Sequence, residues 1–162
     1  MLRGSVVRSL LLCVCFFLPL SKCVSKCPAS PEGVRLLTTI QSRKPSSDDE
    51  TMLYTPDQQQ YERCPSFSMG CMVKEMKTLL NDWTIVDGNI TTRTFRILNK
   101  VKNWTKSLDK DCVPGCESFK EESALIFLEF LNKMLQKFNT DCSLLQRVTR
   151  SSLNRLSSTS WI

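Results

Sequence analysis

Apolar residues recur at the three- and four-residue steps of an amphipathic helix in four blocks of this chain. In the clearest block, Met69, Met72, Val73, Met76, Leu79, Leu80 and Trp83 fall on one helical face, and the pattern ends near Asp87-Gly88. A second block, with Ala124, Phe127, Leu128, Leu131, Met134, Leu135 and Phe138 inward, predicts a helix from about Ser118 to Asn139. There Ser118, Glu121 and Glu122 supply a cap and acids suited to a helix N-terminus. A third runs from about Ile90 to Leu108, with Ile90, Thr94, Ile97, Leu98, Val101, Trp104 and Leu108 inward; its Thr and Asn content lowers its helix propensity. The first in chain order is short, from Pro31 to about Ser42, with Val34, Leu37 and Ile40 inward. Pro31 suits a first helical position after Ser30 as cap.

Gly and Pro are sparse inside these blocks and frequent between them, so the expected fold class is all-α, a short-chain four-helix bundle. The second and third helices are joined by Val86-Asp87-Gly88-Asn89, short enough to force antiparallel neighbours. The first and second are separated by Arg43 to Phe67, long enough to cross the length of a bundle. Up-up-down-down connectivity is therefore favoured, although the short third connection, Asp109 to Glu117, leaves an up-down-up-down bundle open.

The N-terminus alters the compartment. Arg3 and Arg8 precede the apolar run Leu10 to Leu20, and small and polar residues follow, which is the pattern of a secretory signal peptide. The run is too short to span a bilayer. We expect a signal peptide over residues 1–23, a helical domain over 24–142 and a basic tail over 143–162. The tail's scattered leucines and many serines suit a disordered segment. Cleavage after Cys23 or Ser25 removes Cys13, Cys15 and Cys23 and leaves Cys27, Cys64, Cys71, Cys112, Cys116 and Cys142. An even number of cysteines in a short secreted chain implies a disulfide framework. Up-up-down-down topology brings Cys64 and Cys71 near Cys112 and Cys116, with the pairing among them open, and brings Cys27 to Cys142 as a terminal staple.

Composition excludes several kinds of chemistry. The chain has no histidine, so Ser–His and Cys–His nucleophile systems are absent, and no Gly-rich phosphate loop is present. A zinc site at Cys64, Cys71, Cys112 and Cys116 is disfavoured by the wide first spacing and the oxidising compartment. Asp48, Asp49 and Glu50 read as a solvated linker, and no cofactor, metal or enzymatic activity is expected. Removing Arg3, Arg8 and Lys22 from the formal +6 leaves +3, which Arg147, Arg150 and Arg155 of the tail account for. The body is then neutral, which argues against nucleic acid as a partner, and no later segment predicts membrane insertion.

Polar stripes supply the candidate binding residues. Cys71, Glu75, Thr78 and Asp82 form an acidic flank of the second helix, beside a disulfide. On the fourth helix, Leu125, Glu129, Asn132 and Gln136 form a stripe away from the core, with Leu125 as an apolar contact centre. Asn89-Ile90-Thr91 and Asn103-Trp104-Thr105 are glycosylation acceptors on the third helix, whose edge then carries glycan.

Met52-Leu53-Tyr54-Thr55-Pro56-Asp57, followed by Cys64 and Cys71 with an acid four residues on, resembles the interleukin-15 family. So does Cys112-Val113-Pro114-Gly115-Cys116-Glu117 running into FLEFLNKMLQKFN; the resemblance covers about Leu53 to Asn139. It implies a four-helix cytokine that stimulates lymphocyte proliferation through a private alpha receptor chain and the common gamma chain. It also implies the bonds Cys64–Cys112 and Cys71–Cys116. By position, Tyr54, Glu75 and Asp82 match residues that meet the alpha receptor, and Gln136 matches the glutamine that meets the gamma chain. The Cys112–Cys116 spacing is one residue longer than the family pattern, and Cys27 and Cys142 are additional. The first helix lacks the internal aspartate expected to contact a shared beta chain, with Glu32 as the available substitute. The alternative expectation is a stapled, lipid-binding or membrane-active secreted protein, prompted by the Met-rich helix and basic tail.

Overall fold

The first helix, α1, spans Pro31–Gln41 in a computed structural model that describes residues 31–45, 51–84, 87–112 and 114–158. The predicted leader, its cleavage site and Cys27 lie outside the described residues. The remaining elements are β1 (Met52–Thr55), α2 (Gln58–Arg63), α3 (Pro65–Asp82), α4 (Gly88–Thr105), β2 (Lys120–Ser123) and α5 (Ala124–Ser158). Single 3-10 turns follow α4 at Lys106–Leu108 and precede β2 at Cys116–Ser118. The protein is mostly helical and carries two disulfides between described cysteines, Cys64–Cys112 and Cys71–Cys116.

The mostly helical fold agrees with the expected class, and it adds a small antiparallel sheet that the sequence pattern did not predict, in which Met52 faces Ser123 and Tyr54 faces Glu121. Leu53 and Thr55 alternate inward and are buried, so β1 must pass close to the core with its backbone groups bonded. β2 supplies those bonds, and the Ala124 amide donates to the Thr51 carbonyl to close the ladder. The pairing overrides helix propensity at Lys120–Ser123, and α5 begins six residues later than its apolar pattern suggested. Ser118 is therefore no helix cap; its hydroxyl donates to the Gly115 carbonyl.

The span Arg43 to Phe67, expected as a loop, contains α2 and the first turn of α3. Asp57 and Gln60 form a capping box: the Gln60 amide donates to the Asp57 carboxylate at 2.7 Å, and the Asp57 amide donates to Gln60 Oε1 at 2.8 Å. Pro65 opens α3 at a position where a missing N–H costs nothing. No residue of α3's own N-terminus caps it. Asp109, beyond α4, does so: Ser66 and Phe67 amides donate to its two carboxylate oxygens at 2.7 and 3.1 Å.

One core joins the elements of the unit Cys27–Cys142. α3 contributes Met69, Met72, Met76, Leu79 and Leu80; α5 contributes Phe127, Leu128, Leu131, Met134 and Leu135. α1 enters through Leu37 and Ile40, and its buried Gly33 lets the backbone approach α4 and α5. A Cβ at Gly33 would sit 3.1 Å from Ile97 Cγ2 and 3.3 Å from Leu135 Cδ1. Trp104 and Leu108, expected inward, are instead 36% and 47% exposed. They border a groove of about 220 Å³ with Tyr61, Met134 and Phe138, where Trp104 meets Phe138 edge to face.

Three contacts orient α1 against α4. Glu32 pairs with Arg93, Gly33 lies against Ile97, and Arg43 reaches Asp87, the cap of α4. The first two join the start of α1 to the middle of α4, and the third joins the residues after α1 to the beginning of α4. α3 also runs against α4, since Gly70 neighbours the Lys102 stem and Asp109 caps the start of α3. Cys142 is buried and disulfide-bonded, but the expected partner, Cys27, lies outside the described residues. The segment expected as a disordered tail is helical from Ser143 to Ser158, because no Gly or Pro follows Cys116 to stop the helix. That continuation belongs to a separate unit of the chain and exposes Leu144 and Val148. No described helix is long and apolar enough to cross a membrane.

Candidate functional site

The acidic flank of α3 is completed by residues distant in sequence. Cys71 of α3 is buried and bonded to Cys116, which fixes the 3-10 turn and β2 alongside α3. One turn after Cys71, the Glu75 carboxylate accepts a hydrogen bond from the Tyr54 amide at 3.2 Å. This bond occupies the outer edge of β1, where the sheet offers no strand to receive that N–H. Tyr54 and Glu75 are thus brought together, both half-buried.

Tyr54 also stands opposite Glu121 in the ladder. The Glu121 carboxylate raises the Tyr54 phenol above its ordinary value, through its charge first and then by accepting the phenolic hydrogen bond. Burial, Glu117 and Glu75 add to that shift in the same direction. Tyr54 therefore sits among three carboxylates, Glu75, Glu117 and Glu121, delivered by α3, the 3-10 turn and β2. A phenol within such a ring stays protonated and offers both an apolar ring and a donor, while the acids offer acceptors only. The arrangement suits a partner bearing Arg or Lys around a small apolar contact. Met52, 49% exposed on the same sheet face as Tyr54, extends the apolar part.

Glu117 and Glu121 were not among the sequence candidates. The sequence pattern suits Glu121 to a helix N-terminus, and the strand pairing that turns it towards Tyr54 leaves little trace in the sequence. Asp82 lies two turns beyond Glu75 on the exposed surface of α3 and makes no described contact with this cluster. A carboxylate at a helix C-terminus opposes the macrodipole, so Asp82 brings no local stabilisation to explain its presence.

The α5 stripe keeps its predicted spacing, with Glu129 and Gln136 exposed and Leu125 and Asn132 half-buried. Gln136 Nε2 donates to Asn132 Oδ1 at 3.4 Å, one turn earlier. The apolar residue most open to solvent here is Ile126, 48% exposed, rather than Leu125. The stripe has no titratable group beyond Glu129, so it can take part in contact but carries no chemistry.

Asn89 and Asn103 are both exposed on α4. Glu32, the candidate for a beta-chain contact, is already engaged: Arg93 Nε donates to its carboxylate at 2.6 Å. Among the described residues, no group of three or more Cys, Asp or Glu side chains is arranged to hold a metal ion. Compared with protein-family models, with curated proteins and with solved structures, the chain matches none.

Proposed function

We propose that this chain is a secreted helical cytokine of the interleukin-15 type, which acts by engaging lymphocyte receptors. The observation that carries the proposal is the Tyr54 cluster: an aromatic residue ringed by Glu75, Glu117 and Glu121, with the Cys71–Cys116 bond locking its two halves together. In this reading the cluster, extended by Asp82, binds the private alpha receptor chain. The α5 stripe of Leu125, Glu129, Asn132 and Gln136 meets the common gamma chain.

Connectivity supports the reading as well. α1 and α3 both run against α4, which favours an up-up-down-down bundle of α1, α3, α4 and α5 with α2 and the sheet as additions. The two disulfides agree with export through an oxidising compartment. The methionines of α3 are buried at the centre of the core, which favours packing over the lipid-binding alternative. A shared beta chain would have to displace Arg93 from Glu32 and approach beside the two sequons of the neighbouring helix.

The test is binding of the purified glycosylated chain to separate alpha-type, beta-type and gamma-type receptor ectodomains. Glu75→Lys or Glu121→Lys should weaken alpha-chain binding by more than about tenfold, the scale for a buried charge contact at an interface. Gln136→Ala should weaken gamma-chain binding alone. Failure of the wild-type chain to bind either ectodomain would overturn the proposal.

A further inference from the structure

α4 carries four cations, Arg93, Arg96, Lys100 and Lys102, and no acid. Successive helical residues are about 100° apart, so Arg93, Arg96 and Lys100 fall within about 60° of one another. All three are exposed and form a strip about 10 Å long at 1.5 Å per residue. Lys102 lies to the side, its stem against Gly70 of α3.

Ordinary helix surfaces intersperse acids with bases, because like charges at i, i+3 and i, i+4 destabilise the helix. Here Arg96 has Arg93 three residues before it and Lys100 four residues after it. Relief is partial. Glu32 pairs with Arg93, but among the described residues no ion pair engages Arg96 or Lys100. The helix dipole favours Lys102 in the last turn, and its effect does not extend to Arg96 in mid-helix. From Val24 to Cys142 the cations and acids balance, so the strip reflects local segregation of charge rather than a basic composition.

We propose that the Arg93–Arg96–Lys100 strip binds sulfated polysaccharide chains of the cell surface and matrix. The strip is exposed along its length and its cations line neither of two grooves among the described residues, which suits an extended polyanion rather than an enclosed ligand. Two of its three cations are arginines, whose planar fork matches the oxygens of sulfate and carboxylate groups. An anionic membrane is the poorer fit. A helix lying on lipid buries an apolar face there, whereas the apolar face of α4 is spent on the core through Ile97, Leu98 and Val101. Asn89 and Asn103 lie on the same side of α4, about one turn beyond each end of the strip, so glycans attached there would bracket it. This surface is separate from the Tyr54 cluster and does not depend on the receptor assignment.

The test uses the full-length secreted protein and immobilised heparin at 0.15 M salt. Three forms are compared: wild type, Arg96→Gln/Lys100→Gln, and a tail variant with Arg147, Arg150 and Arg155 each changed to Gln. The α4 variant should bind about thirtyfold more weakly, at roughly fivefold per cation removed, with unchanged circular dichroism. The tail variant should stay close to wild type. On a plain sulfonate resin the α4 variant should shift no more than the tail variant, which separates a site from net charge. Equal heparin affinity for wild type and the α4 variant would overturn the proposal. So would loss confined to the tail variant, or Arg96- and Lys100-dependent binding to phosphatidylserine vesicles without heparin binding.

Discussion

Asp109→Ala tests how far the start of α3 depends on a residue supplied from beyond α4. In α3, Pro65 has no N–H, and the next two amides, Ser66 and Phe67, both donate to Asp109 in a half-buried setting. Losing a helix cap costs about 1–2 kcal/mol, and losing a carboxylate at a helix N-terminus costs about 0.3–1 kcal/mol more. Among the described residues Asp109 is the side chain that caps these amides, and Cys64 makes no side-chain cap bond. The sum is about 1.3–3 kcal/mol, or on the order of 10 °C in melting temperature for a body of this size. Urea unfolding with the disulfides intact measures the loss. Asp109→Asn retains one acceptor oxygen and should lose about half as much. Amide exchange should accelerate at Ser66 and Phe67 in the Ala variant before it does so in α5. A loss below about 0.5 kcal/mol, or unaltered exchange at those two amides, would refute the reasoning.

Tyr61 gives a pH dependence. Burial, assisted by Asp141, pushes its phenol up to about 12 from an ordinary 10. The folded state therefore holds this proton more tightly than the unfolded chain does. Stability from this group is complete below about pH 10 and falls by roughly 2–3 kcal/mol as pH rises to about 12. Urea midpoints across that range, compared with Tyr61→Phe, should show the extra slope only in the wild type. Separately, Gly33→Leu should destabilise by about 2 kcal/mol or more, because even a Cβ meets Ile97 and Leu135 and a longer side chain overpacks the contact. A variant as stable as wild type would show that α1 can move away from α4 and α5 without cost.

The helical core was legible where the apolar period was long and unbroken. Every α3 position read as inward is buried except the half-buried Val73, and so is every α5 position so read. Trp104 and Leu108 failed because periodicity assigns a face but cannot say how far a neighbouring helix covers it. α2 has a sequence signature in the Asp57-x-x-Gln60 capping pattern, but it is only six residues long and lies within a long Pro-containing connection, where periodicity carries no signal. β2 was much harder to find: Lys120-Glu121-Glu122-Ser123 is a strand only because β1 needs partners there. That pairing brings Glu121 to Tyr54, so this member of the acidic cluster could not be read without the fold. Helix order alone left the cysteine pairing open. The structure joins Cys64 to Cys112 and Cys71 to Cys116.

The Tyr54 cluster draws on three separate stretches of chain: β1, the middle of α3, and the segment that runs from the 3-10 turn at Cys116 through β2. No continuous peptide cut from this protein contains more than a fragment of it, and a reduced chain loses the crosslink that aligns those stretches. Short synthetic mimics would therefore reproduce its acidity without its shape. An antibody that blocks this surface has to be raised against, and screened on, the folded and oxidised molecule.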